Sequence, residues 1–277
     1  MGVPTTMDEP ISIPRKFPGG SQKKPTQGKP QLSVKATKRG GSRGVKRRRA
    51  KFKNELKFSI LGSNSAGLKA KTESLVQNIK VFNNPSCITL QETKMRHCGT
   101  LKLSGYQVFE KVRSGLGGGL FTAIDQNLNP VLIGAINEES EILVVQCQVG
   151  ENKVRIINGY GPQEDDPTAA RLTFWQSMEQ EVVAAKNENC MVLIQMDANA
   201  KVGKCVLRDD PNDLSNNGQL LLDLIDRENL VLVNSSSLCS GAITRHRVTQ
   251  ENIEQSILDY IVVCEKLSQF LEMMIIP

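Results

Sequence analysis

From residue 57 onward the chain alternates short apolar runs with longer stretches whose apolar positions recur every three or four residues. Runs of four to eight residues rich in valine and isoleucine, bounded by glycine, proline or asparagine, read as strands. The strands expected on this basis are Phe58–Gly62, Cys87–Leu90, Tyr106–Lys111, Gly119–Ile124, Val131–Ile136, Ile142–Val149, Val154–Gly159, Met191–Met196, Leu230–Asn234 and Ile257–Val263. Three stretches carry helical spacing instead. Thr72 to Phe82 places Leu75, Ile79 and Phe82 on one face and stops before Pro85. Thr168 to Lys186 places Leu172, Trp175, Val182 and Val183 on a core side, and its entry through Asp166-Pro167 suits a helix start, where proline is tolerated. Asn217 to Arg227 repeats Leu220, Leu221, Leu224 and Ile225 at helical spacing. Strands outnumber helices and β-meander stretches separate them, so the pattern predicts an α/β sandwich rather than a simple βαβ repeat.

The N-terminal segment has none of this periodicity, and its charge explains the net +6 of the 277-residue chain. Residues 1–57 hold 16 Lys and Arg against 3 Asp and Glu, a balance of +13, which leaves −7 for the remainder. With Pro4, Pro10, Pro14, Pro18, Pro25 and Pro30 and few apolar positions, such a segment buries too little surface to offset the entropy of ordering. The expected organisation is a disordered basic tail over residues 1–56 and a folded domain over 57–277. Within the tail, Lys46, Arg47, Arg48 and Arg49, followed by Lys51 and Lys53, suit nuclear import or nucleic-acid contact; a solvated linker is the alternative. The cluster favours nucleus over cytoplasm.

No run approaches the ~18 apolar residues of a membrane span, and no apolar core of a secretory signal is present, so no membrane partner is expected. Seven cysteines, an odd number without a Cys-x-x-Cys pair, include Cys87, Cys147, Cys190 and Cys264 inside apolar runs. They read as buried free thiols in a reducing compartment. His97 and His246 are the only histidines, which argues against a structural zinc site.

Polar residues at the ends of apolar strands carry the candidate chemistry: Asn64, Glu92, Asp197 with Asn199, and Asp259. One such residue is ordinary, but four sites of this kind in one chain point to a hard cation. Magnesium needs few carboxylates, its other ligands being waters and substrate phosphate oxygens.

The blocks Leu90-Gln91-Glu92-Thr93-Lys94, Asn158-Gly159-Tyr160-Gly161-Pro162, Met196-Asp197-Ala198-Asn199-Ala200-Lys201-Val202-Gly203 and Ser256-Ile257-Leu258-Asp259-Tyr260-Ile261 occur in this order. They resemble the endonuclease/exonuclease/phosphatase superfamily, and most closely the apurinic/apyrimidinic-type endonuclease domains of non-LTR retrotransposons. The resemblance spans roughly residues 56 to 277 and implies a four-layer α/β sandwich of two mostly antiparallel sheets flanked by helices. It implies metal-dependent nicking of DNA with Mg²⁺, or Mn²⁺ as a second candidate. By the same resemblance Glu92 and Asn64 belong to the metal site, Tyr160 contacts the scissile phosphate, and Asp197 activates water with Asn199 holding it. Thr244 would contact substrate and Asp259 would orient a catalytic histidine. Gly117-Gly118-Gly119 is similar to a glycine run at a hairpin; without a phosphate-loop context it reads as a tight turn or bulge. In an intact element, a reverse transcriptase encoded downstream would be a partner.

Two departures stand against the family pattern. Its late Ser-Asp-His block occurs nowhere, and the chain ends 18 residues after Asp259, so the resemblance implies a missing final strand, a missing histidine and impaired activity. Gln195 and Met196 precede Asp197 where the retrotransposon enzymes have glycine. A non-catalytic nucleic-acid-binding remnant, using the basic tail, is the competing expectation. A relative acting on an inositol phosphate, a sphingolipid or an RNA tail ranks last.

Overall fold

The computed structural model describes residues 58–99, 101–113, 117–248 and 253–276. The basic tail, with Lys46, Arg47, Arg48 and Arg49, lies outside the described residues.

Two sheets form the frame. The smaller contains β1 (Ile60–Asn64), β2 (Cys87–Gln91), β3 (Tyr106–Lys111) and β4 (Leu120–Asp125) in the order β1-β2-β4-β3. The larger contains β5 (Val131–Leu132), β6 (Ile142–Val149), β7 (Asn152–Tyr160), β8 (Met191–Asp197), β9 (Leu230–Leu232) and β13 (Asp259–Cys264), ordered β5-β6-β7-β8-β13-β9. Only the β1–β2 and β7–β8 pairs are parallel within these sheets; the others are antiparallel. Two small pairs complete the strands. β10 (Cys239–Ser240) runs parallel to β14 (Met274–Ile275), and β11 (Arg245–Val248) forms a hairpin with β12 (Ile253–Ser256). The helices are α1 (Thr72–Val81), α2 (Thr168–Asn187), α3 (Asn216–Arg227) and the short α4 (Glu265–Ser268).

Strand periodicity sorts the apolar side chains into three interfaces, because successive residues face opposite sides of a sheet. Ile88, Leu90, Phe121 and Ala123 pack with Leu75 and Ile79 of α1 on the outer face of the small sheet. Val192, Ile194 and Met196 of β8 pack with Trp175, Met178 and Val182 of α2 and Leu221 and Leu224 of α3 on the outer face of the large sheet. Cys87, Leu120 and Ile124 meet Leu143, Val145, Ile156 and Leu193 between the sheets. Three interfaces between four layers make an α/β sandwich.

The same parity sends a second set of residues inward. Gly62 and Asn64, Thr89 and Gln91, Thr122, Asn158 and Tyr160, Gln195 and Asp197, and Asp259 all share the face of the inter-sheet cluster. Toward one end of the sandwich the filling therefore changes from aliphatic to polar.

Some predicted elements are shorter or turned. Val131–Ile136 reduces to β5, and Leu230–Asn234 ends as β9 before a 3-10 turn at Val233–Ser235. Phe82, Leu172 and Val183 are 48%, 41% and 39% exposed, whereas Ser177 and Glu181 of α2 are buried. The core face of α2 is thus rotated from the one its aliphatic residues suggest. Buried Ser177 bonds Ser140 and Asn137, and Glu181 accepts from the amide of Ile136, so polar partners in the loop before β6 select that face. Cys87, Cys147 and Cys190 are buried free thiols. Burial pushes the Cys147 thiol up to about 12 and that of Cys87 well above its ordinary value, so both act as small apolar side chains.

Candidate active site

Register places the polar strand ends side by side. Tyr160 pairs with Asp197 across the parallel β7–β8 ladder, and Asp259 pairs with Asp197 across the antiparallel β8–β13 ladder. In the small sheet Asn64 pairs with Gln91, which puts Glu92 just beyond the end of β2. The two sheets meet where the Asn64 amide donates to Asp197 Oδ2 at 2.6 Å. Asp197 Oδ1 accepts the backbone N–H of Asn199 at 3.1 Å, so both carboxylate oxygens are held.

Electrostatics separate these groups. Burial raises the Asp197 pKa above the carboxylate range, opposed by the bonds from Asn64 and Asn199, with the Glu92 charge adding and the Arg245 charge subtracting. Burial and then the neighbouring Asp197 charge push Asp259 up to about 7, although Thr244 counteracts. Asp259 Oδ1 is buried without a hydrogen-bond partner among the described residues. Tyr160 is also raised, first by burial and then by the charges of Glu92 and Asp197, and its hydroxyl accepts from the Gln163 amide at 3.3 Å.

The loops around this mouth cross closely. Gly161 donates to Asp197 O at 2.7 Å, and a Cβ on Gly161 would lie 2.4 Å from Ala198 O. Only glycine permits that approach. Asn199 adopts a left-handed φ of 46° and donates its amide to Gly161 O at 2.8 Å. Thr244 Oγ1 accepts from the backbone N–H groups of Leu258 and Asp259 at 2.9 and 3.2 Å, so this hydroxyl sets the start of β13 from the hairpin side.

The structure thus brings together Asn64, Glu92, Tyr160, Asp197, Asn199, Thr244 and Asp259. Gly117, Gly118 and Gly119 form a turn with φ of 84°, 66° and 89° leading into β4, while His246 is exposed on β11. Gln195 accompanies a change elsewhere: a Cβ on Gly62 would meet its amide at 2.0 Å, so the absent side chain of Gly62 makes room for it.

Three residues near the site escaped the sequence reading. Asn217, fully buried in the first turn of α3, donates to Pro162 O at 2.8 Å and Asn199 O at 3.3 Å and accepts from Trp175 Nε1 at 3.3 Å. A polar residue beside the N-cap serine of an otherwise apolar helix face was its only signal. Arg245, on a hairpin whose β11 residues are all exposed, lies near enough to Asp197 to lower its pKa. Lys94 Nζ lies 3.0 Å from Glu92 Oε1.

No group of three or more His, Cys, Asp or Glu among the described residues converges as a closed metal cage. Glu92, paired with Lys94, and the Asn64 side-chain carbonyl, which accepts the Ala66 N–H at 2.9 Å, are oxygen donors of the kind a hard cation takes along with waters and phosphate oxygens.

Neither a family model nor a curated protein matches the sequence. Solved structures do match. The endonuclease domain of TRAS1, a telomere-specific non-LTR retrotransposon, is similar at a TM-score of 0.61 and 17% identity over 77% of this chain and 88% of that one. AP endonuclease LMAP from Leishmania major gives 0.60 and 17% over 77% and 80%. The 3′ phosphatase NExo from Neisseria, bound to product DNA hairpin, gives 0.56 and 16% over 77% and 89%. Two main sheets of four and six strands, flanked by helices, give this chain the same fold as these endonuclease and phosphatase structures.

Proposed function

We propose that this chain hydrolyses a single phosphodiester bond of DNA with Mg²⁺, or Mn²⁺ in its place, leaving a nick. The observation that carries the reading is the convergence of Asn64, Glu92, Tyr160, Asp197 and Asn199 at the polar end of the sandwich, with Asp197 held through both oxygens. DNA as substrate is supported by the similar structures, one of which is bound to a DNA hairpin.

Glu92 and Asn64 would hold the metal, which would supply a Lewis acid for the phosphate and its developing charge. Asp197 takes the proton of the attacking water. Its oxygens are oriented by Asn64 and the Asn199 backbone, and its raised pKa makes it a stronger base than an exposed aspartate. Tyr160 retains its proton and donates to a phosphate oxygen. Asn199, fixed to Gly161, orients water and phosphate between them. Arg245, on the hairpin, adds a cation on the substrate side. Lys46, Arg47, Arg48 and Arg49 supply sequence-independent attraction to the backbone and an address for nuclear import.

The rate belongs to the proposal too. Asp259, buried beside Asp197, has an oxygen without a hydrogen-bond partner among the described residues, so it lacks there the group it would orient. A charge-stabilising or acid/base group contributes about 10²–10⁴-fold, so nicking is expected to be slow. Supercoiled plasmid incubated with Mg²⁺ tests this: slow conversion to open circle, lost in EDTA and in Glu92→Ala, is expected. Conversion that persists in Glu92→Ala overturns the assignment of the site, and fast Glu92-dependent conversion overturns the low rate. Plasmid that is retained by the protein but never nicked favours a non-catalytic nucleic-acid-binding role, which the cationic tail supports.

A further inference from the structure

Glu92 and Lys94 both have left-handed backbones, with φ of 51° and 52°. Residues with long side chains adopt that conformation uncommonly, and where they do the surrounding structure holds them there. On one side the segment after β1 grips the turn: Ser65 Oγ and the Gly67 N–H donate to Glu92 O at 3.2 and 2.9 Å, and the Leu68 N–H donates to Thr93 O at 2.9 Å. On the other side the glycine turn completes the grip. Thr93 donates to Gly119 O at 3.0 Å and Lys94 to Gly118 O at 2.9 Å. A Cβ on Gly119 would stand 2.7 Å from Thr93 Oγ1, so this contact requires glycine.

The glycine turn has its own anchor. Gly119 donates its N–H to Glu141 Oε2 at 2.9 Å, and Arg113 Nε stands 3.6 Å from Glu141 Oε1. Glu141 sits one residue before β6, and its backbone carbonyl accepts the N–H of Tyr160 at 2.9 Å. The same residue therefore touches the two arms of the site: the turn that aims Glu92, and the strand end that carries Tyr160.

We propose that Glu141 is a positioning residue for the metal-binding carboxylate: its side chain latches the glycine turn, and the turn holds Glu92 in the left-handed conformation. The inference rests on the proposed metal role of Glu92 but concerns a mechanical link that exists without metal. Glu141→Ala removes the acceptor for Gly119. Glu141→Gln keeps an oxygen at the same reach, and Glu141→Asp draws it back by one methylene.

Two measurements on metal-free full-length protein decide it: amide hydrogen exchange at Thr93, Lys94 and Gly119, and Mn²⁺ affinity by calorimetry. Glu141→Ala is expected to speed exchange at these three amides, leave the β7 and β8 amides unchanged, and weaken Mn²⁺ about tenfold. Glu141→Gln should match the wild type in both, and Glu141→Asp should follow alanine and serve in its place if alanine loses the fold. Unchanged exchange in the alanine and aspartate variants overturns the latch. Faster exchange with unchanged, Glu92-dependent Mn²⁺ affinity overturns its positioning role. Wild-type protein lacking any Glu92-dependent Mn²⁺ binding removes the metal reading and with it the positioning of a metal ligand, while exchange still decides whether the latch exists.

Discussion

Asn217 makes three side-chain hydrogen bonds without touching a strand end, and two of them hold the carbonyls of Pro162 and Asn199. Replacing it with aspartate would turn the donor into an oxygen facing two carbonyl oxygens. Asn217→Asp is therefore expected to lower stability by about 1–3 kcal/mol, as for a buried group left unsatisfied, and to lower kcat through displacement of Asn199. Urea unfolding followed by Trp175 fluorescence measures the first, and plasmid nicking the second; a stable variant with wild-type nicking would refute the link. Asp259 offers a pH test. In the unfolded chain it ionises near the ordinary aspartate value of 3.8, whereas the fold raises it to about 7 beside Asp197. The folded form thus holds a proton that the unfolded form releases, so this contribution to stability is complete below about pH 4 and lost as pH rises through about 7. In EDTA, wild-type Tm should fall between pH 5 and pH 8, and Asp259→Asn should flatten that fall; equal slopes would reject the raised pKa. Asp197 and Asp259 were legible in the sequence because each lies at the end of an apolar strand. Asn217 was not, because its partners lie 55 and 18 residues away along the chain and no local pattern records them.

At the level of elements, strand parity carried most of the information. Tyr106–Lys111 and Ile142–Val149 have the predicted bounds, with Gly105 interrupting before the first and Gly150 after the second. The β11–β12 hairpin lacked such a signal: all four β11 residues and three of the four β12 residues are exposed, so neither face needed an apolar pattern. The face of α2 was misjudged because polar Ser177 and Glu181 are buried through partners in a distant loop. Packing between β1 and β8 gives an element-scale prediction. Gly62 faces Gln195, whose amide also lies 3.5 Å from Gln91 between the sheets. Gly62→Ala should destabilise by about 1–3 kcal/mol through overpacking. In the Gly62→Ala, Gln195→Gly double variant the added methyl meets open space, so the two costs should sum to more than the double variant shows. Additive losses in urea would mean that the two positions do not compete for one volume.

For the whole molecule, an α/β sandwich was legible because many short strands separated by three helical stretches leave few ways to bury all faces, while its four layers followed only from the family resemblance. Which strands form which sheet was not, since β1–β2 and β7–β8 pair in parallel across helical crossovers that sequence order alone leaves open. Charge adds a separate constraint at this scale. The portion after residue 57 carries −7, including the carboxylates at the mouth of the site, and so repels the polyanion it is proposed to cut. The +13 of residues 1–57 must then supply most of the attraction. If Lys46, Arg47, Arg48, Arg49, Lys51 and Lys53 each neutralise one phosphate, replacing all six by glutamine in the full chain should reduce the slope of log affinity against log salt by about 5. The fall should appear equally on unrelated duplex sequences, because backbone contacts carry no base information. Fluorescence anisotropy on a labelled duplex between 50 and 300 mM KCl, roughly the range where counterion release dominates, measures the slope. A slope unchanged by the six substitutions would move DNA affinity from the tail to the folded domain, with Arg245 on the hairpin near Asp197 foremost.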